Sequence, residues 1–386
     1  MDLGLTEEQR ALQESARALL ERAWRPADVR RNRRPGGPGH NPVLWEAMAA
    51  LGWLGLSFDA GVGGGGGTLL DLAVVRQEAG RTLVPTTLAS TYEAALLIDR
   101  AGSDDIRSEL LPEVAAGRRL LTMARSDDQR RGLTAADEGG EIVVDGTVAF
   151  VPNAATADDL VVVACAADDA RRRVTLVVVP ARADGVVVEP LATSAGDAQD
   201  VVRFEHVRVP RSRLLDRGDG RAEPARTERD AAALRAVEAV GGAAAVLDMT
   251  VAYVAERSQF GRPVGSFQAV QHQVADMATH VDGAHLVAWQ AVWACDRDDP
   301  GAARAVAIAA VAAADTYLAA TLTAHQLHGG IGFATDHDLH LWSDRAVAAA
   351  VGRRSRHEHL RAVAAERWRT AWRAGENVVP TRGGAR

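Results

Sequence analysis

Leu5, Leu12, Ala16, Leu19 and Leu20 recur at helical spacing, so an amphipathic helix is predicted at the start of the chain. A second helical run, "NPVLWEAMAALGWLGL", has Asn41 and Pro42 as its start and Gly52 as its stop. A third, "LLDLAVVRQEAGRTL", follows the glycine-rich "GVGGGGGT". The period then changes. "EIVVDGTVAFV" reads as two β-rich runs around a hairpin at Asp145-Gly146, and "DLVVVAC", "RVTLVVVP", "GVVVEP" and "DVVRFEHVRVP" follow as short strands. Strands without helices between them predict a compact antiparallel β domain over 120–215.

Helical periodicity returns after the polar link "DRGDGRAEPARTER". Thr227 and Asp230 resemble a capping pair, and Leu234, Val237, Gly241, Ala244, Leu247, Val251 and Val254 then recur in steps of three or four. A second long helix is predicted to begin near Phe267, and an alanine-rich third covers 302–325. Long helices with small side chains pack closely as an antiparallel bundle. The expected fold class is α+β and multidomain: an N-terminal helical domain (1–119), a middle antiparallel β domain (120–224), a C-terminal four-helix bundle (225–376) and a flexible tail (377–386).

Composition narrows the function. The chain has 386 residues, 47% apolar and 25% charged, with net charge −7, so no attraction to nucleic acid or anionic membrane is expected. The basic run 25–40 lies among Pro and Gly without aromatic interleaving and reads as a solvated loop. The acidic start lacks a secretory signal, and the apolar run 305–314 is too short to span a bilayer. Cys165 and Cys295 read as buried reduced thiols in a cytoplasmic protein. Gly61, Gly63 and Gly66 satisfy G-x-G-x-x-G, but no strand precedes them, so a flexible turn is expected. His325, His328, His337, His340, His357 and His359 form no complete ligand set at a known spacing, so no metal is expected.

"ERSQFGRPVGSFQAVQH", from Glu256, mixes fixed donors with aromatic and aliphatic residues. A helix end whose polar groups only satisfy its own turn is one reading. A pocket for an anion against an apolar wall is the other.

The motifs in order resemble the acyl-CoA dehydrogenase family of flavoproteins over nearly the whole chain. "LTEEQRALQESARALL" is similar to its opening helix, "WEAMAALGWLGLSFDAGVGG" to the following segment, and "FEHVRVPRSRLL" to the end of its β domain. "YVAERSQFGRPVGSFQAVQHQVADM" and "HQLHGGIGF" resemble its two C-terminal motifs. The resemblance implies FAD at a subunit interface, in a dimer or dimer of dimers. It implies that Arg257, Gln259 and Phe260 grip the diphosphate of a flavin held mainly by the neighbouring subunit, with Gln268 in support. Gln326, Gly329 and Gly330 would meet the adenosine half. A forked guanidinium suits a diphosphate, and Gly-Gly admits close backbone approach.

The sequence departs from the family elsewhere. Its glutamate base, which removes the α-proton while the β-hydride passes to flavin, lies after the Gly-Gly motif in most members. That slot falls near Arg353, with Glu358 five residues on. The alternative slot falls at Ala231, beside Asp230 and seven residues before Glu238, so the catalytic residue is left unassigned. Phe150 is retained to cover a ring, Pro152 stands where a hydroxyl would meet flavin N5, and Asp336 replaces a usual glutamate. Some actinobacterial members are heteromers, and the alanine- and arginine-rich composition suits a high-GC bacterium. The resemblance therefore implies an oxidoreductase acting on the CH–CH bond of an acyl-CoA or carrier-bound acyl thioester, with a homo- or hetero-oligomeric partner completing the site. A non-redox thioester reaction on a reused scaffold and a non-catalytic structural subunit remain the alternatives.

Overall fold

The computed structural model describes residues 4–33, 39–125, 132–166, 174–217, 222–352 and 354–373, with side chains to 365. Arg353 and the tail 377–386 lie outside the described residues.

The first third is helical: α1 (Glu7–Ala23), α2 (Pro26–Asn32), α3 (Pro42–Ala50), α4 (Leu69–Thr82), α5 (Thr87–Ala101) and α6 (Asp104–Ala115). Thr6 and Gln9 form a capping box on α1, and Asn41 accepts the Leu44 N–H at the start of α3. The basic run 25–40 is not simply a solvated loop. Pro26 opens α2, Arg33 donates to Leu341 O at 2.9 Å, and Arg30 pairs with Asp338. The cationic side chains thus tie α2 to the far end of the chain.

A seven-stranded sheet follows: β1 (Leu121–Arg125), β2 (Thr134–Glu138), β3 (Glu141–Pro152), β4 (Asp159–Ala166), β5 (Val174–Pro180), β6 (Val186–Leu191) and β7 (Gln199–Pro210). Among the described residues four of its pairings are antiparallel, but β1 and β2 both run parallel to β4, so the expected all-antiparallel sheet is mixed. Asp145-Gly146 is not a hairpin turn. Both residues lie inside the single strand β3, where the register against β7 shifts between Val144 and Gly146. The turn between β2 and β3 is Gly139-Gly140, both at positive φ. Alternation sorts β4 onto two cores: Leu160, Val162 and Ala164 face the sheet's own core, while Val161 packs with Leu97, Ile98 and Leu110 of α5 and α6.

The last third comprises α7 (Ala222–Glu256), the short strands β8 (Ser258–Gln259) and β9 (Arg262–Pro263), α8 (Gln268–Asp296), α9 (Ala302–His328), α10 (Leu339–Val351) and α11 (Arg356–Arg373). Thr227 and Asp230 are not caps. They are buried within α7 and bonded by Arg100 of α5, so the helix consumes most of the predicted link. By length and composition α7 and α9 would cross a membrane, but here both supply buried residues to the bundle. Residues of α1, α3 and α4 share one continuous core with α7–α10. α4 crosses α7 at two glycines. A Cβ at Gly80 would overlap the Glu238 backbone, and one at Gly241 that of Gln77.

Candidate functional site

At the end of α7 the chain reverses through β8 and β9, with Phe260 (φ 54°) and Gly261 (φ 78°) at the tip. Phe260 is 92% exposed and stands edge-on to Phe267 at 6.2 Å, while the Arg262 guanidinium covers Phe267 at 4.1 Å. Arg257 is exposed and makes no side-chain hydrogen bond among the described residues. Gln259 Nε2 only returns to Ser258 O, at 2.9 Å, and Gln268 is exposed at the start of α8. Beside this turn, α9 ends at His328, followed by Gly329 (φ 64°) and Gly330. A Cβ on either glycine would meet nothing within 4 Å, and Gln326 is exposed. The Tyr253 ring stacks on His328 at 4.3 Å and its hydroxyl donates to His328 O at 3.2 Å, which joins the two turns. All seven residues predicted to meet a cofactor are therefore exposed, on the two turns or on the ends of α8 and α9 beside them. Free donors and open glycine backbone suit an anionic nucleotide from outside the subunit. Asp336 is also exposed, and its carbonyl accepts from Arg30 at 3.2 Å.

A cavity of about 410 Å³ is walled by α4, α7, α9 and α10. Gly352, Arg354 and Ala232 line it, while Ala231 is buried. The carboxylates around it are committed. Glu238 pairs with Arg76 of α4 and accepts from Arg345 of α10 at 3.2 Å. Asp197 accepts from Arg345 at 2.9 Å, and Asp315 from Arg356 at 3.0 Å. Glu228 accepts from Arg235 at 2.6 Å and pairs with Arg125 at 3.3 Å. Asp230 is 1% exposed and held by Arg100 at 2.6 Å and Arg229 at 2.8 Å, so it is a structural ion pair. Burial, then Asp230, pushes the Cys295 thiol up to about 12, which keeps it protonated. Glu358 caps α11 through Ser355. A general base needs an uncommitted lone pair aimed at its proton. Each of the four carboxylates lining the cavity is already paired with arginine.

Glu228 was missed in the sequence, although it lies one helical turn before Ala231. The arginine clamps were missed as well. Burial and the neighbouring Arg345 lower the Arg33 pKa to about 10, so it remains charged at neutral pH. Burial also opposes the Arg345 charge, but Asp197 and Glu238 outweigh it and raise its pKa.

On the sheet, Phe150 sits at φ 59° in a bulge and is 69% exposed, an aromatic face held outward at some backbone cost. Two residues on, the Pro152 carbonyl accepts the buried Thr122 hydroxyl at 2.6 Å. Phe150 thus presents an exposed aromatic ring, and residue 152, a proline, carries no side-chain hydroxyl. The segment 126–131 lies outside the described residues.

Helical segments flank a seven-stranded sheet along the chain, with exposed turns at the ends of α7 and α9 and a cavity among α4, α7, α9 and α10. Residues 6–118 match the sequence model of the acyl-CoA dehydrogenase N-terminal domain, and 228–356 that of the C-terminal domain. The acyl-CoA dehydrogenase IpdE2 of Mycolicibacterium smegmatis is 31% identical over 94% of this chain and 99% of its own. Among solved structures, a variant of the Tcur3481-Tcur3483 steroid ACAD is 30% identical with a TM-score of 0.84, covering 96% of this chain and 100% of that one. The ChsE4-ChsE5 complex from Mycobacterium tuberculosis is 25% identical with a TM-score of 0.87, covering 95% and 99%. The chain belongs to the acyl-CoA dehydrogenase family, whose members are FAD-dependent oxidoreductases acting on CH–CH bonds.

Proposed function

We propose that this chain is one subunit of a heteromeric, cytoplasmic acyl-CoA dehydrogenase and that its partner supplies the catalytic base. One observation carries the reading: each carboxylate lining the cavity is already bonded to an arginine. Arg257, Gln259 and Phe260, with Gln268 in support, hold the diphosphate of FAD seated mainly in the partner. Gln326, Gly329 and Gly330 meet its adenosine half. Arg257 neutralises phosphate charge, the Gln side chains fix orientation, and the open Gly-Gly backbone lets the nucleotide approach. Bound FAD supplies the acceptor for the β-hydride of the acyl thioester. The α-proton goes to a carboxylate of the partner. The two-chain names of the Tcur3481-Tcur3483 and ChsE4-ChsE5 structures favour an unlike partner over a second copy.

The test is to purify the chain alone and with its co-expressed partner, record the flavin absorbance and titrate with acyl-CoAs. Flavin and turnover are expected in the pair only. Ordinary turnover by the isolated chain would overturn the partner requirement, while conversion of a thioester without flavin would point to a non-redox reaction.

A further inference from the structure

One aromatic pair joins the two outward turns of the bundle. Tyr253, in the last turn of α7, lies over His328, the last residue of α9, with 21° between the ring planes. Its hydroxyl donates to the His328 carbonyl, and its own carbonyl accepts the Arg257 N–H at 2.9 Å. The imidazole is fixed too. Nδ1 lies 2.8 Å from Ala324 O, and a carbonyl only accepts, so the proton sits on Nδ1. Nε2 is left bare and buried, without a hydrogen-bond partner among the described residues, on a residue 4% exposed.

The Tyr253 ring face favours a cation on His328, but a second proton on Nε2 would be a buried donor with no acceptor among the described residues, which costs more. His337 stands edge-on at 4.9 Å and receives the Leu339 N–H on its own Nδ1. His325 Nε2 shares a hydrogen bond with Ser343 Oγ at 2.7 Å, and His340 donates to the His337 carbonyl at 2.7 Å. Asp338 is paired with Arg30, Asp336 is exposed, and Asp344 acts on His325 rather than His328. Burial first, then His337 and His325, hold the His328 pKa below the usual histidine value, against the Ala324 hydrogen bond.

We propose that Tyr253 and His328 form a latch that sets the Arg257 turn against the Gly329-Gly330 turn, and that protonation of His328 opens it. Its bearing on cofactor binding rests on the functional reading above; the latch itself does not. The folded chain favours the neutral ring, so the latch is closed above about pH 6.5 and is lost as pH falls below it.

Hydrogen exchange on the full chain tests this, read at residues 257–262 and 329–333 at about pH 7.5 and about pH 5.5, with intrinsic rates corrected. Protection of both turns is expected to fall about tenfold on acidification, and Tyr253→Phe should lower it by a similar factor at neutral pH. His328→Asn keeps a donor for Ala324 O and should abolish the pH dependence. An unchanged Tyr253→Phe profile, or the same acid loss in His328→Asn, would overturn the proposal. If His328→Asn fails to fold, NMR titration of the native imidazole decides, and a His328 pKa at or above about 6.5 rejects the latch. These readouts need no flavin, so a complex that binds none would overturn the cofactor reading and leave the latch standing.

Discussion

Arg345 reaches from α10 to Glu238 on α7, Nη1 to Oε1, at 3.2 Å, and ties up a cavity-facing carboxylate in an ion pair. The same guanidinium holds Asp197 at 2.9 Å, so one side chain fixes two acids. Replacing it with methionine leaves Glu238 with Arg76 and Asp197 with the more distant Arg33 at 3.9 Å. Arg345→Met should cost about 2 kcal/mol, read by denaturant unfolding, because two partly buried carboxylates each lose one of their arginines.

Arg257 has the opposite character. Its side chain is exposed and bonded to nothing among the described residues, so Arg257→Ala should leave unfolding of the isolated chain within about 0.5 kcal/mol. In the complex the same substitution should lower FAD affinity about thirtyfold, the weight of a charge-assisted phosphate contact. Flavin retained per complex after gel filtration gives the readout.

If this chain brings only the outer turns, each pair of unlike chains holds one productive flavin. Absorbance against protein concentration should therefore give one flavin per pair, and acyl-CoA titration one reporting site per pair. Two flavins per pair would mean that the arginine-lined cavity is itself an active site.

Close helix contact sets another expectation. Gly80→Ala or Gly241→Ala would push a methyl group into the facing helix backbone, where no side chain can move aside. Each should destabilise the chain by about 3 kcal/mol, seen as a lowered unfolding midpoint or loss of soluble protein.

Burial also holds the His40 and His285 imidazoles below their usual value. A lowered folded-state pKa favours the neutral ring, so this stability is present above about pH 6.5 and lost as pH falls. The denaturant midpoint should be flat on the neutral side and decline toward about pH 5, and His40→Gln should shallow that decline.

The broad order of elements was legible in the sequence because helix and strand periods differ over long stretches. The outward turns were legible for a local reason: Arg257, Gln259 and Phe260 are near neighbours in one motif. Asp145-Gly146 misled because a dipeptide that suits a tight turn also suits a bulge, and only pairing with β7 decides between them. The clamps on Glu238 were hidden by distance, since Arg76 lies 162 residues before it and Arg345 lies 107 after. Spacing along the chain carries no trace of such pairs. Thr227 and Asp230 were misread for a related reason, because Arg100 makes both tolerable inside a helix.

The shared core of the first and last helical segments bears on how the chain matures. On a ribosome α1, α3 and α4 emerge long before the helices they pack against, and their apolar faces must wait uncovered. The sheet closes its own core from neighbouring strands and can settle in that interval. The chain leaving the sheet returns to α6, where Arg213 pairs with Glu109 and Arg217 with Asp104, so the late helices set out from beside the early ones.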